Sequence, residues 1–408
     1  MDIRIIPRKL HGKVTVPPSK SVAHRMIIGA ALSSGISEIT NLSPSADITA
    51  TVDCMKALGA DIDFSNDKAV IKGILNIPEK AVLNCRESGS TLRFLIPVAA
   101  ALGVETEFQG GGKLPTRPLT PFFEEFPKHG ISFELPDNGT NLPLKIKGKL
   151  KAGRYEIDGG ISSQFITGLL FALPLLDDDS EIVLTSPLQS APYVNITIEA
   201  LNSYGCEIIT TKSGFSIKGN CTFKPHSSRI EGDFSQAAFF YVANSLGSDM
   251  EILDINPLSA QGDKLIAEIC QKFDEHGDAF ELDCSDVPDL VPILTVLGSF
   301  GKGTTRLTNV ARLRIKECDR LAAMEDCLNR VGGRVRAYDD YIEIEGVSML
   351  HGGEINAYND HRIAMSMTIA ATISAKPIII HGAECVAKSY PDFYEVYRSL
   401  GGIAEEVI

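Results

Sequence analysis

The 408-residue sequence predicts an α/β protein of two domains, each made of three copies of one supersecondary unit. An amphipathic helical stretch that ends at a glycine and runs on into an alternating strand recurs along the chain; glycine there supplies the left-handed residue that closes a helix. A second helical stretch, nearly all apolar and opening on a small or polar residue, recurs in step with the first and reads as buried. The closing glycines, Gly59, Gly130, Gly205, Gly277, Gly332 and Gly401, fall roughly 55 to 75 residues apart. Six units of that size fit neither one doubly wound sheet nor an eightfold barrel.

In order along the chain, the amphipathic helices are predicted at 47–58, 121–129, 195–204, 264–276, 318–331 and 392–400. All but the last lead into strands, at 60–64, 131–135, 206–209, 279–282 and 334–336. The apolar helices open near Ser19, Ser88, Ser162, Asp233, Asp286 and Asn359, residue types that cap a helix well or start a turn. Pro97 is expected to kink the second of them. Short β-branched runs at 38–40, 181–185 and 378–380 supply further strands, so each unit reads strand–helix–strand–helix–strands. The interval between Gly277 and Gly332 is the short one, and Arg229–Gly232 is where the sequence is cut into domains.

Composition narrows the function. A hydrophobic fraction of 44% with 22% charged residues is globular, and a formal net charge of −13 argues against a general nucleic-acid binder or an anionic membrane surface. Nine scattered cysteines without a C-x-x-C pair read as reduced thiols of a cytosolic protein, not as a disulfide framework or zinc site. The N-terminus is too polar for a signal peptide, and no apolar run is long enough to span a membrane.

The cations that matter are local. Lys20, Ser21 and Arg25 stand at a predicted helix start, with Ser21 and Arg25 on one face, where free N–H groups and the helix dipole favour phosphate or carboxylate. Arg86–Arg93 sets Gly89 among hydroxyls, so that backbone can approach a ligand closely, and Gln109–Pro118 is a glycine-rich loop carrying Lys113 and Arg117. Ser162, Ser163 and Gln164 open a third helix, and Ser190 and Tyr193 follow a strand. Asn309–Arg320 interleaves cations with Glu317 and Asp319; Lys316 and Arg320 are spaced to share a helix face. Tyr358–Arg362 puts Arg362 at the head of an apolar helix, where an unpaired cation is costly, and Lys388 lies in a turn near the end. Each stretch alone is also explained as a cap, a turn or a solvated face; none has a Ser-His-Asp order, thiol motif or metal spacing.

Taken together, Ser19–Arg25, Ser88–Arg93, Leu114–Leu119, Ser162–Phe165, Asp286–Asp289, Arg314–Arg320, Tyr358–Arg362 and Lys388–Asp392 resemble the 5-enolpyruvylshikimate-3-phosphate synthases, in that family's order and over nearly the whole chain. The resemblance implies the two-domain enolpyruvyl transferase fold, an inside-out α/β barrel of six βαβαββ units, three per domain. It implies residues 19–229 as the first domain, inserted between 1–18 and 230–408, with the active site in the interdomain cleft. The implied reaction moves the enolpyruvyl group of phosphoenolpyruvate to the 5-hydroxyl of shikimate 3-phosphate by addition and elimination, with no metal or organic cofactor, in a cytoplasmic monomer.

Carried over by position, shikimate 3-phosphate would meet Lys20, Ser21, Arg25, Ser162, Ser163, Gln164, Ser190, Asp289 and Lys316. Phosphoenolpyruvate would meet Lys20, Gly89, Arg117, Gln164, Arg320, Arg362 and Lys388, and glyphosate would compete with it. Asp289 suits a base toward the 5-hydroxyl, and Glu317 and Lys20 are candidates for the other proton transfers. Pro18, Glu87 and Arg312 depart from the residues common in the family. Two other readings are weighed. A sister transferase acting on UDP-N-acetylglucosamine would carry a reactive cysteine in the 109–118 loop, which has none, and a non-catalytic anion-binding module would have lost Lys20, Asp289 or Glu317.

Overall fold

A computed structural model describes residues 1–407. The chain divides into two compact units, one of Pro18–Glu231 and one of Met1–Pro17 with Gly232–Ile408.

The Pro18–Glu231 unit contains α1 (Lys20–Leu32), α2 (Ala46–Ala57), α3 (Gly89–Leu102), α4 (Thr120–Glu125), α5 (Ser163–Ala172) and α6 (Ala191–Ser203). Its three four-stranded sheets share one plan, a parallel pair extended by two antiparallel strands. In the first, Ile36–Thr40 runs parallel to Ser228–Arg229 and antiparallel to Lys68–Lys72, which pairs with Asp61–Ser65. The register puts Ile39 opposite Ala69 and Ile62 opposite Ile71, so one face is buried and apolar apart from Ser37. That face packs on α1 and α2, and the unit's core runs on through α3 and α5.

The expected kink at Pro97 does not interrupt α3, which runs from Gly89 to Leu102. Proline removes the N–H that would have bonded the Arg93 carbonyl, and α5 packs against that spot. A Cβ on Gly168 would sit 2.3 Å from Arg93 O and 2.9 Å from Pro97 Cγ, so the helices meet backbone to backbone.

The other unit contains α7 (Phe234–Ser245), α8 (Leu265–His276), α9 (Val291–Gly298), α10 (Arg320–Arg330), α11 (His361–Ala371) and α12 (Phe393–Ser399). Two of its sheets repeat the same plan, and the third has only two strands, His11–Thr15 parallel to Asp249–Leu253. The fourth copy along the chain, the one that ends at Gly277, therefore departs from the expected βαβαββ unit. After α8 and Gly277 the chain goes straight into Glu281–Asp283 of the next sheet, without a hairpin of its own, which is why the Gly277–Gly332 interval is short. The core of this unit is separate and centres on α7, α9 and α11.

The cysteine expectation needs correction. Cys206 and Cys221 form a disulfide with their Cα atoms 5.9 Å apart, while the other seven cysteines are free and buried. Gly205 closes the last turn of α6, and the chain comes back past that same end, where the Lys224 N–H bonds Tyr204 O at 2.8 Å. Fold, not spacing, brings the pair together. No described helix is long and apolar enough to cross a membrane.

Candidate active site

In the Pro18–Glu231 unit the buried helices open on serines whose side chains accept from the first turn: Ser19 from Val22, Ser88 from Thr91 and Ser162 from Gln164. Side chains tie these ends together. Lys20 pairs with Asp47 at 2.9 Å, and the Thr91 hydroxyl donates to the Asp47 carbonyl at 3.5 Å. Gln164 is held by two residues of α3: its Oε1 accepts from Arg93 Nη1 at 2.7 Å, and its Nε2 donates to Ser90 Oγ at 3.0 Å. Helix N-termini present unused N–H groups and partial positive charge, so their convergence with Lys20 and Arg117 suits anions.

Arg117 lies against the start of α3. A Cβ on Gly89 would sit 2.6 Å from Arg117 Nη1, so glycine leaves the guanidinium its place. In the loop before it, Gly112 has φ +56°, and a Cβ there would meet Glu87 Oε2 at 2.3 Å; the Glu87 carboxylate packs onto the glycine-rich loop.

Arg25 is 3% exposed. It donates to Thr197 Oγ1 at 2.7 Å, Ser21 O at 2.6 Å, Tyr193 O at 2.8 Å and Thr167 Oγ1 at 3.4 Å, and lies over the Phe94 ring at 5.1 Å. All these acceptors are neutral, and no carboxylate pairs with it among the described residues. Burial pushes its pKa down to about 9, which leaves a cation at neutral pH without a counter-charge. Ser190, buried and left-handed at φ 59°, heads α6 just before the Tyr193 that holds Arg25.

The second unit carries the opposite solution. Arg320, 2% exposed, meets Asp360 Oδ2 through Nε at 2.7 Å, Asp289 Oδ1 through Nη1 at 3.0 Å and Glu317 Oε2 through Nη2 at 2.8 Å. Burial would lower its pKa, but Asp360, Glu317 and Asp289 raise it well above the ordinary value. Arg362 grips Asp289 twice, at Oδ2 and at the backbone carbonyl, both at 3.0 Å. Burial alone would raise the Asp289 carboxyl; Arg362, Lys316 and Arg320 outweigh it and hold Asp289 ionised, well below the usual carboxylate range. Asp360 also caps α11, accepting from Arg362 N at 2.9 Å, and Lys388 Nζ donates to Asn359 O at 2.7 Å. Arg312 braces the backbone ahead of Asp289, donating to Cys284 O and Ser285 O.

Of the residues assigned from the sequence, Lys20, Ser21, Arg25, Gly89, Arg117, Ser162, Ser163, Gln164 and Ser190 belong to one unit, and Asp289, Lys316, Glu317, Arg320, Arg362 and Lys388 to the other. The expectation that Lys316 and Arg320 share a helix face fails. Asp319 caps α10 by accepting from Ala322 N at 3.1 Å, so the helix starts at Arg320 and Lys316 precedes it in extended backbone. Sequence reasoning passed over Arg93, which sets the Gln164 amide, and Asp360, which anchors Arg320, although both stood inside quoted motifs. Asp47, Thr167 and Thr197 had no motif to mark them; only the fold brings them to Lys20 and Arg25.

Residues 5–397 match the sequence model of the family described as EPSP synthase (3-phosphoshikimate 1-carboxyvinyltransferase). A 3-phosphoshikimate 1-carboxyvinyltransferase of Clostridium kluyveri is 46% identical, the match covering 99% of this chain and 98% of that protein. One of Clostridium perfringens is 45% identical over 98% of this chain and 99% of its own length. Among solved structures, EPSP synthase from Acinetobacter baumannii superposes with a TM-score of 0.81 at 24% identity, covering 99% of this chain and 100% of that one. The enolpyruvyl transferase NikO from Streptomyces tendae gives 0.77 at 16% identity, covering 100% and 98%. At those identities the two structures establish the fold alone.

Proposed function

The chain belongs to the EPSP synthase (3-phosphoshikimate 1-carboxyvinyltransferase) family, and from that premise we propose how its residues carry the reaction. The enzyme transfers the enolpyruvyl group of phosphoenolpyruvate to the 5-hydroxyl of shikimate 3-phosphate and releases phosphate, a step of aromatic amino acid biosynthesis. We assign the shikimate 3-phosphate contacts to Lys20, Ser21, Arg25, Ser162, Ser163, Gln164, Ser190, Asp289 and Lys316. Phosphoenolpyruvate is assigned to Lys20, Gly89, Arg117, Gln164, Arg320, Arg362 and Lys388.

The observation that carries this reading is Arg25, a buried cation whose hydrogen-bonding acceptors are all neutral. A buried charge without a counter-charge is costly, and a dianionic phosphate would remove that cost. The hydroxyls of Ser162, Ser163 and Ser190 suit a phosphorylated, hydroxylated ring.

In the proposed mechanism Asp289, kept ionised by its cations, takes the proton of the 5-hydroxyl as that oxygen bonds to C2 of phosphoenolpyruvate. The methylene carbon gains a proton in the same addition, giving a tetrahedral adduct. Elimination returns that proton, expels phosphate and restores the C=C bond. Lys20 and Glu317 are the candidates for the transfers at the methylene carbon and the leaving phosphate. Fixed cations stabilise the charge that builds on the phosphate oxygens. The assigned groups divide between the two units, so the reading requires both to act on one substrate pair. One chain supplies every assigned group, and we read the enzyme as a monomer of the cytoplasm.

Phosphate release by purified protein tests the function. Release with phosphoenolpyruvate and shikimate 3-phosphate, and none with UDP-N-acetylglucosamine as acceptor, is expected. Release only with the nucleotide sugar would keep the chemistry and overturn the acceptor assignment; silence with both would leave a binding module.

A further inference from the structure

The first turn of α7 carries two buried polar side chains, Ser235 and Gln236, ahead of the apolar run Ala237–Phe240. Ser235 Oγ donates to the buried carboxylate of Asp263. Gln236 belongs to neither substrate set and is 1% exposed. Its side chain leaves its own helix: Nε2 donates to Ser389 Oγ at 2.6 Å, and Ser389 is buried as well. Gln236 Oε1 is buried without a hydrogen-bond partner among the described residues. A buried amide is costly unless hydrogen-bonded, and the bond to Ser389 is what this side chain has to offset that cost.

The backbone is fixed on both sides of that bond. Asp233 caps α7, accepting from Gln236 N at 3.2 Å, and Gln261 Oε1 accepts from Phe234 N at 3.0 Å. One turn further along α7, the Phe240 ring meets Tyr390 edge-on with centroids 6.4 Å apart. Ser389 N and Tyr390 N both donate to Val386 O, at 3.0 and 2.8 Å, closing the 3-10 turn Ala383–Lys388. Lys388 is the last residue of that turn and Ser389 the first beyond it. Lys388 Nζ donates to Asn359 O at 2.7 Å, at the head of the helix whose first turn carries Arg362. A lysine stem is long and flexible, so where its ammonium rests depends on how firmly its backbone is held.

We propose that Gln236 is a positioning residue for the transfer, acting through Lys388: by its bond to Ser389 it fixes the end of the 383–388 turn and so keeps the ammonium at the head of α11 for phosphoenolpyruvate. This rests on the assignment of Lys388 to phosphoenolpyruvate. Without the bond Lys388 keeps its charge but spreads over more positions, so phosphoenolpyruvate binds less well while turnover of the bound complex changes little.

The test is two-substrate initial-rate kinetics on the wild type, Gln236→Leu, Ser389→Ala, Ser389→Thr, Lys388→Ala and the double variant Gln236→Leu/Lys388→Ala. Gln236→Leu, which fills the site without the amide, is expected to raise the KM for phosphoenolpyruvate several-fold, with kcat and the KM for shikimate 3-phosphate little changed. Ser389→Ala has the same effect and Ser389→Thr, which keeps the hydroxyl, stays near the wild type; this pair serves if the leucine variant does not fold. On top of Lys388→Ala, Gln236→Leu raises the KM no further, because the group it acts through is gone. An equal rise in both backgrounds, a rise shared by the KM for shikimate 3-phosphate, or a lowered Tm with unchanged kinetics overturns the proposal while leaving the function intact. A KM for phosphoenolpyruvate that Lys388→Ala does not move overturns the assignment of Lys388 and the proposal with it.

Discussion

Arg25 and Arg320 are the same residue type in opposite surroundings, and that contrast sets what each can do. Arg25 has hydroxyls, carbonyls and a ring about it; Arg320 has three carboxylates. Removing Asp360 leaves the buried Nε–H of Arg320 without its acceptor. Asp360→Ala, which also uncaps α11, should therefore cost about 3–5 kcal/mol in denaturant unfolding, against less than about 1 kcal/mol for a surface pair such as Lys272–Glu268. Asp289 carries a pH dependence of definite sign. Its folded-state carboxyl is held below the unfolded value, so its contribution is present at neutral pH and lost as pH falls through the carboxylate range. Asp263 works the other way: burial, then repulsion from Asp289, holds it at about 7 in the folded state, and it costs stability progressively as pH rises from about 4 to 7. The Tm should fall below about pH 4 in the wild type and in Asp263→Asn alike, whereas only the wild type should also decline toward neutrality. At this scale the cations were legible because a charge at the head of an apolar helix stands out in one dimension. Their partners Asp47, Thr167 and Thr197 were not, since each comes from another helix.

At the scale of elements, the apolar helices were readable from their caps. Ser19, Ser88, Ser162 and Asp233 start helices as expected, because a side-chain oxygen that satisfies an orphan N–H is a local device. The expectation failed where a nearer cap was available: Asp319 starts α10 and strips Lys316 from it. α3 continues through Pro97, and Gly168 on α5, which packs beside that turn, is invisible to a reading of α3 alone. Gly168→Ala forces a methyl into the Arg93 carbonyl and should cost about 1–3 kcal/mol, measured as a lowered midpoint in denaturant. Gly89→Ala acts on the other end of α3. It displaces the Arg117 guanidinium and should raise the KM for phosphoenolpyruvate with little loss of stability.

At the scale of the whole molecule, the glycine-punctuated repeat was legible because each copy closes its amphipathic helix in the same way. Its one irregularity was visible as a short interval, but the cause was not: a missing hairpin leaves spacing behind and no residue to read. The disulfide was illegible for the opposite reason, since its cysteines are 15 residues apart with no motif, and only the return of the chain past the end of α6 joins them. Closing a loop of that length is worth about 3 kcal/mol at 25 °C, so Cys221→Ser, or reductant on the wild type, should lower the Tm of the Pro18–Glu231 unit by several degrees. The central claim is that this one chain holds two separable anion-binding assignments, with Arg25 serving shikimate 3-phosphate and Arg362 serving phosphoenolpyruvate. Two-substrate initial-rate kinetics on Arg25→Ala and Arg362→Ala, side by side with the wild type, test it most directly. A roughly 10- to 100-fold rise in the KM for shikimate 3-phosphate in the first variant, and for phosphoenolpyruvate in the second, is predicted. Both variants raising the same KM, or neither KM moving, would contradict it.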